Sequence, residues 1–317
     1  MTCHNCLIDA PKNGKHRNGL QRFRCVQCGK TFTEPHEEAF RVEMYLDEPR
    51  GLLAVQMLTE GMSIRSTERI TGLHRNVIIQ LLVIAGQRCE ALLASKIKSV
   101  PVTDVQCDEM WGFVAKKEAN RDMRDKNFLT TGDAWCYIAI ERNTKLVLAY
   151  HLGRRVESST HQFMQKVADA TDPNQRFQLS TDGLATYPLA IGRKLGDRVD
   201  YGQIIKAYAK KQGEEYRYSP PSVISVNTKP IYGNPGREFI CTSHVERINL
   251  TTRMQVRRLT RLTNAFSKKW ENLRAALALY FAWYNFCKPH SSIRATPAMK
   301  AGLTDRAWTL AELLGAA

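Results

Sequence analysis

The stretch VTDVQCDEMWGFV, residues 102–114, alternates as a β-strand does. Val102, Asp104, Gln106, Asp108 and Met110 fall on one face, and Thr103, Val105, Cys107, Glu109 and Trp111 on the other. It opens a region of α/β texture. Two further strands are expected, AWCYIAIE at 134–141 and KLVLAYHLG at 145–153, separated by the turn-like Arg142, Asn143 and Thr144, so a three-stranded meander is the natural reading. A helix from about Ser159 to Ala170 leads to FQLSTDG, residues 177–183, a short strand that ends at Asp182 with Gly183 after it. An acid at a strand end beside a glycine is well placed to point into a cleft.

Further on, SHVERINLTTRMQVRRLTR, residues 243–261, has a helix-like pattern and places a single acid, Glu246, ahead of a series of arginines. At about 100° per residue Glu246, Arg253 and Arg257 lie within about 40° of one another, so a surface Glu–Arg pair is one reading. Taken with Asp108 and Asp182, Glu246 supports another. Two carboxylates on neighbouring strands and a third from a covering helix supply the oxygen ligands of a two-metal site, and Arg253, Arg257 and Arg261 would then face the phosphates brought to it. Glu109 is expected to point away if the strand is regular, and Asp104, two residues from Asp108, is not expected to be a ligand. Lys116 and Lys117 read either as DNA contacts or as solvated charges. Trp111, Trp135, Trp270 and Trp283 read as core residues rather than base-stacking platforms.

The 317 residues carry a formal charge of +15 and a pI near 9.5, which points to a polyanionic partner, nucleic acid first. The excess is shared by both halves of the chain. The longest apolar runs, such as VIIQLLVIAG at 77–86, look too short to span a bilayer and the N-terminus is not signal-like, so an intracellular protein without a membrane association is expected. Of nine cysteines, four precede residue 30. The other five, Cys89, Cys107, Cys136, Cys241 and Cys287, are scattered and read as small core hydrophobes.

Cys3/Cys6 and Cys25/Cys28 form two C-x-x-C knuckles, the spacing of a zinc ribbon in which four thiolates complete a tetrahedral shell. Gly14 and Gly19 suit hairpin turns between them. Lys12, Lys15, Arg17, Arg22 and Arg24, with Phe23 among them, read equally as a nucleic-acid contact or as a solvated face. Residues 50–88 change to helical periodicity. Gly61 and Ser63 break and restart a helix, Gly72 makes a turn, and His74 opens a third helix whose buried side carries Val77, Ile78, Leu81 and Leu82. That order fits a helix-turn-helix, with His74, Arg75, Asn76 and Gln80 at the exposed start of a recognition helix, and it also fits a purely structural bundle. Residues 94–101, ASKIKSVP, read as a linker. The expected organisation is multidomain: a zinc ribbon at 1–36, an all-α helix-turn-helix domain at 37–95, an α/β catalytic core with a mixed sheet at 101–290, and a C-terminal tail at 291–317.

DEMWGFV, STDGLATYP, HVERINLTTRMQVRRLTRLTNAFSKKWENL and the tail YNFCKPHSSIRATPAMKAG, together with the ribbon and the helical region, resemble the DDE transposases of the first insertion-sequence family. The resemblance covers nearly the whole chain. It implies a ribonuclease-H-like core in which Asp108, Asp182 and Glu246 carry cleavage and joining of DNA strands with Mg²⁺ or Mn²⁺. It also implies double-stranded DNA as partner, both element ends and target, a homodimer or higher oligomer on that DNA, and a cytoplasmic, nucleoid-associated, prokaryotic setting. The long interval from Asp182 to Glu246 departs from a minimal core, and its segment at 208–236 reads as a strand followed by a proline-rich loop. A DNA-binding regulator with a silent nuclease-like core, and a nuclease or resolvase without strand transfer, are the competing readings.

Overall fold

The computed structural model describes residues 1–16, 20–34, 48–209 and 223–316. Arg17, Gly19, the expected boundary between ribbon and helical domain at 36–37, and 210–222 lie outside them.

The strand read at 102–114 is β4 (Asp104–Val114), which sits inside a six-stranded mixed sheet. With β5 (Gly132–Glu141) and β6 (Val147–Gly153) it makes the expected antiparallel meander. The turn joining β5 to β6 is fixed by the Glu141 carboxylate, which accepts from Thr144 N at 2.6 Å, the Thr144 hydroxyl at 2.7 Å and Asn143 N at 3.0 Å. The chain then crosses through α4 (Glu157–Ala170) to β7 (Phe177–Thr181), which pairs parallel to β4, and through α5 (Tyr187–Lys194) to β8 (Val199–Tyr208), parallel to β7. β9 (Val223–Tyr232) closes the order β6-β5-β4-β7-β8-β9 as an antiparallel edge. This mixed sheet with its helices is consistent with a ribonuclease-H-like core.

The expected strand followed by a proline-rich loop at 208–236 is therefore corrected in its second part: Val223–Tyr232 is a strand. Pro230 concealed it, because proline reads as a strand breaker, yet on an edge strand its missing N–H costs no ladder bond.

The two faces of the sheet are covered by different helices. Glu109, Tyr137 and His151 lie in register on one face, where the Tyr137 ring meets Phe163 of α4 at 5.5 Å. Asp108, Ile138 and Tyr150 lie on the other, where Tyr150 meets Phe281 of α7 (Trp270–Phe286) at 4.9 Å. Burial on both sides explains why β4 carries so few exposed residues.

Helices α1 (Glu48–Thr59), α2 (Ile64–Thr71) and α3 (Arg75–Lys96) follow the expected breaks. The Ser63 hydroxyl caps α2 by accepting from Ser66 N at 3.0 Å, Gly72 ends it at φ +68°, and His74 Nδ1 caps α3 by accepting from Asn76 N at 3.3 Å. α3 is longer than the apolar run at 77–86 suggested. By length and composition it would cross a bilayer, but here its apolar side is core, with Ile78, Leu81, Leu82, Ala85 and Cys89 buried. Gly86 lets it lie directly on α7, since a Cβ there would come within 2.4 Å of Ala275 Cα. The helical region thus shares one hydrophobic core with the sheet, and Leu313 and Leu314 of the C-terminal α9 (Leu310–Ala316) are buried in the same core.

The four early cysteines lie within 4.8 Å of one another, beside a three-stranded sheet of β1 (Lys12–Lys15), β2 (Gln21–Arg24) and β3 (Thr31–Thr33). The two knuckles are built alike. Leu7 N donates to Cys3 O at 2.8 Å and Gly29 N to Cys25 O at 2.9 Å, with both Leu7 and Gly29 at positive φ. The Cys3–Cys28 sulfur separation of 3.7 Å matches the edge of about 3.8 Å of a tetrahedron with Zn–S bonds of about 2.3 Å. The donor set fits zinc. One zinc per chain is expected by metal analysis under reducing conditions. Cys25→Ser should release it and melt the ribbon, while the near-ultraviolet signal of the core tryptophans stays unchanged; stoichiometric zinc retained by that variant would contradict the assignment.

Candidate metal centre and catalytic cleft

The parallel pairing of β7 with β4 ends at Cys107 opposite Thr181, while β4 itself runs on to Val114 against β5. From Asp108 onward one edge of β4 is therefore open, and Asp182 sits at its start. Carboxylates from both faces of the strand can turn into this gap. Asp108, Glu109 and Asp182 do so, with one oxygen of each within 4.8 Å of the others.

Each acid is positioned by a neighbour. Asn249 of α6 (Ser243–Gln255) donates its side-chain N–H to Asp108 Oδ2 at 2.8 Å. Leu184 N donates to Asp182 Oδ1 at 3.1 Å, and the Gln203 amide to Asp182 O at 3.1 Å. Arg155 approaches Glu109 Oε2 at 3.6 Å, whereas Glu109 Oε1 is buried without a hydrogen-bond partner among the described residues. The buried Tyr187 hydroxyl lies near enough to favour the charged form of Glu109, without a well-formed hydrogen bond between them.

This placement corrects the expectation for Glu109. It does leave β4 on the opposite face, but the extra methylene of glutamate and the open edge bring its carboxylate round to Asp108 and Asp182. No pattern in the sequence carried that information, because it depends on where β7 stops. Asp104 is kept elsewhere, bonded to Arg142 at 2.9 Å.

Glu246, in the first turn of α6, lies outside that trio but lines the same cleft of about 560 Å³ with Asp108, Asp182, Arg155, Lys206 and Thr242. The Thr242 hydroxyl donates to Glu246 Oε1 at 2.6 Å, and Lys206 of β8 forms a short ion pair with the same oxygen. The expected Glu–Arg face is not observed. The helix ends at Gln255, Arg257 falls in the following turn, and Arg253 donates to Trp111 O at 2.8 Å and Leu259 O at 3.1 Å, so its guanidinium ties two backbone segments together. Arg257 and Arg261 are exposed. His74, Arg75, Asn76 and Gln80 are exposed at the start of α3 and do not line the cleft.

Burial and mutual repulsion leave the acid cluster short of positive charge. Burial, then Asp182, push Asp108 up to about 7, with Glu246 adding and Asn249 opposing. Burial, then Asp182, push Glu109 up to about 8, against the pull of Tyr187 and Arg155. Burial also raises Asp182. Clustered hard oxygens, one of them buried and unpartnered, fit a divalent cation such as Mg²⁺ or Mn²⁺.

A carboxyl group whose folded pKa is raised binds more protons folded than unfolded between the two values. Its contribution therefore becomes more favourable as pH falls through the folded value toward the unfolded one, near 4. In chelator, lowering the pH from about 8.5 to about 6.5 should raise the melting temperature of the native chain relative to Glu109→Gln, which lacks one of the three raised groups. Mg²⁺ should raise it more at pH 8.5 than at pH 6.5, since protons and metal compete. Parallel melting curves for the two proteins at every pH would contradict this electrostatic picture.

No protein-family model matches the chain, and no curated protein matches it. Among solved structures the chain is similar to a piggyBac transposase in a synaptic complex with hairpin DNA, at TM-score 0.37 and 10% identity over 88% of this chain and 71% of that one. It is also similar to an endonuclease V from Bacillus subtilis, at TM-score 0.21 and 13% identity over 64% of this chain and 89% of that one. Likeness this distant leaves the activity to be read from the cleft itself.

Proposed function

We propose that the chain is a DDE transposase of an insertion sequence, which binds the terminal inverted repeats of its element and cuts and joins DNA strands with a divalent metal. The observation that carries this reading is the convergence of Asp108, Asp182 and Glu246 on one polar cleft, from a central strand, the end of its parallel neighbour and a covering helix. A bound Mg²⁺ or Mn²⁺ would activate an attacking hydroxyl and stabilise the leaving oxygen. Asp108, Asp182 and Glu246 would hold that charge, with Asn249 and Leu184 N fixing two of them. Lys206 and Arg155 bring positive charge to the cleft mouth, where a scissile phosphate would lie. On this reading water would attack the phosphodiester at the element end and break its P–O3′ bond, and the freed 3′-hydroxyl would then attack a target phosphodiester in line and displace that strand's 3′-oxygen.

DNA reading is assigned to His74, the N-cap of α3, and to Arg75, Asn76 and Gln80 on α3, all of them exposed. Arg257 and Arg261 supply phosphate contacts. Arg253 instead supports the backbone beneath them. The working assembly on this reading is a homodimer or larger oligomer on double-stranded DNA in a prokaryotic nucleoid.

Asp108→Asn, Asp182→Asn and Glu246→Gln should each lower Mg²⁺-dependent cleavage and joining by orders of magnitude while leaving end binding nearly intact. A joined product, and not a cut product alone, separates a transposase from a nuclease or resolvase; near-normal strand transfer by Glu246→Gln would remove Glu246 from the active site. Arg75→Ala or Asn76→Ala should cost about 1–3 kcal/mol of discrimination between end DNA and random DNA. Arg257→Ala should weaken binding to both and flatten its salt dependence. Equal loss for both DNAs in the Arg75 and Asn76 variants would leave the three helices as a structural bundle.

A further inference from the structure

Beyond the acid cluster, the face of the sheet that carries Glu109 continues into a row of half-buried aromatic rings, each with a cation against it. Arg155, the partner of Glu109, lies with its guanidinium 4.5 Å from the Trp135 ring. Trp135 is the cross-strand neighbour of Trp111, and the Trp111 and Phe113 rings are 5.8 Å apart. Lys117 Nζ sits 5.7 Å from Trp111 and 5.9 Å from Phe113. Phe113 meets Phe266 at 4.6 Å, and Lys268 Nζ lies 3.4 Å from the Phe266 ring. Arg155, Lys117 and Lys268 are all exposed.

This row is held in place by bonds that do not involve its rings. Ala115 N donates to Ser267 O at 2.8 Å, joining the end of β4 to the segment carrying Phe266 and Lys268, and Arg258 donates to the Ser267 hydroxyl at 3.1 Å. The strip therefore does not need a ligand to assemble. It starts at the acid cluster and leads outward along β4.

We propose that this strip, Trp135, Trp111, Phe113 and Phe266 with Arg155, Lys117 and Lys268, binds an unpaired DNA strand as it leaves the cleft. Alternating π-faces and mobile cations are what a sequence-tolerant single-strand site uses: bases stack on the rings while the cations follow the phosphates. Double-stranded DNA cannot use the rings, because its bases are already stacked on one another. On this proposal Trp111 serves as a stacking platform, Trp135 packs against the core with one edge left to the strip, and Lys117 has a role. The proposal depends on the strand-cutting reading only for the origin of the strand.

The test uses the full chain with a fluorescein-labelled oligothymidylate of about 15 nucleotides and a blunt duplex of the same length, in chelator, so that no chemistry intervenes. Trp111→Ala should weaken the single strand roughly 5- to 100-fold, with the duplex affected less than two-fold, and Trp111→Phe should restore most of the loss. Lys117→Ala, at an exposed position, should lower the slope of log affinity against log salt for the single strand by about 0.7. Asp182→Asn should bind the oligothymidylate as the native chain does, so loss of catalysis and loss of strand binding are read separately. Single-strand affinity within two-fold of native in both Trp111→Ala and Lys117→Ala overturns the proposal, as does a parallel loss of single-strand and duplex binding.

Discussion

The early end of β7 is the constraint on which the cleft depends. Its ladder with β4 stops at Thr181 while β4 continues for seven residues past Cys107. In a fully paired strand, side chains at 108 and 109 would leave on opposite faces and could not meet. With no further strand pairing from β7 beside them, Asp108 reaches in from the face under α6, Glu109 from the face under α5, and Asp182 from the strand terminus itself, while Arg253 fills the same edge farther on at Trp111 O. Gly183 and the turn after it take the chain away from the gap, and the Leu184 amide fixes the Asp182 carboxylate as it does so.

Gathering carboxylates in a half-buried gap is unfavourable by itself, and the surroundings limit the cost without removing it. Asn249 contributes a neutral donor, Arg155 is 3.6 Å from Glu109, and Lys206 is engaged with Glu246. The result is a site whose acids lie above the ordinary carboxylate range and whose Glu109 Oε1 has no partner. An arrangement that served stability alone would pair these charges or replace them by apolar groups. Such a cluster of underpaired carboxylates could hold a divalent cation.

Much of the fold was legible from short-range pattern. Alternation identified β4, the turn residues separated β5 from β6, and Ser63, Gly72 and His74 fixed the helix breaks, because in each case the deciding contact lies within a few residues. The knuckles were legible for the same reason. What sequence did not show was set by distant partners: the end of β7, which turns Glu109 inward; the edge position of β9, which accommodates Pro230; and the carbonyls of Trp111 and Leu259, which occupy Arg253. The helix beginning at Ser243 also ends earlier than its charge pattern suggested, since Val256 and Leu259 turn into the core and break the run. Asp108, Asp182 and Glu246 were expected on two neighbouring strands and a covering helix, and they line one cleft, but the approach of Glu109 to Asp108 and Asp182 was not expected.

Glu246 poses the remaining physical question, because its carboxylate faces Lys206 and not the other acids. The pair is partly exposed, with side-chain accessibilities of 22% for Lys206 and 44% for Glu246, and ion pairs in such settings contribute about 0–1 kcal/mol. A divalent cation attracts a carboxylate far more strongly at the same distance, since its charge is doubled and the cleft is less well solvated than the surface. The Lys206 contact is therefore a weak hold that a rotamer change of Glu246 can release. Release has a second effect. Lys206 is left at the mouth of the cleft with its charge unmatched, so on the proposed reading the step that completes the metal ligands also turns a lysine toward the incoming phosphate.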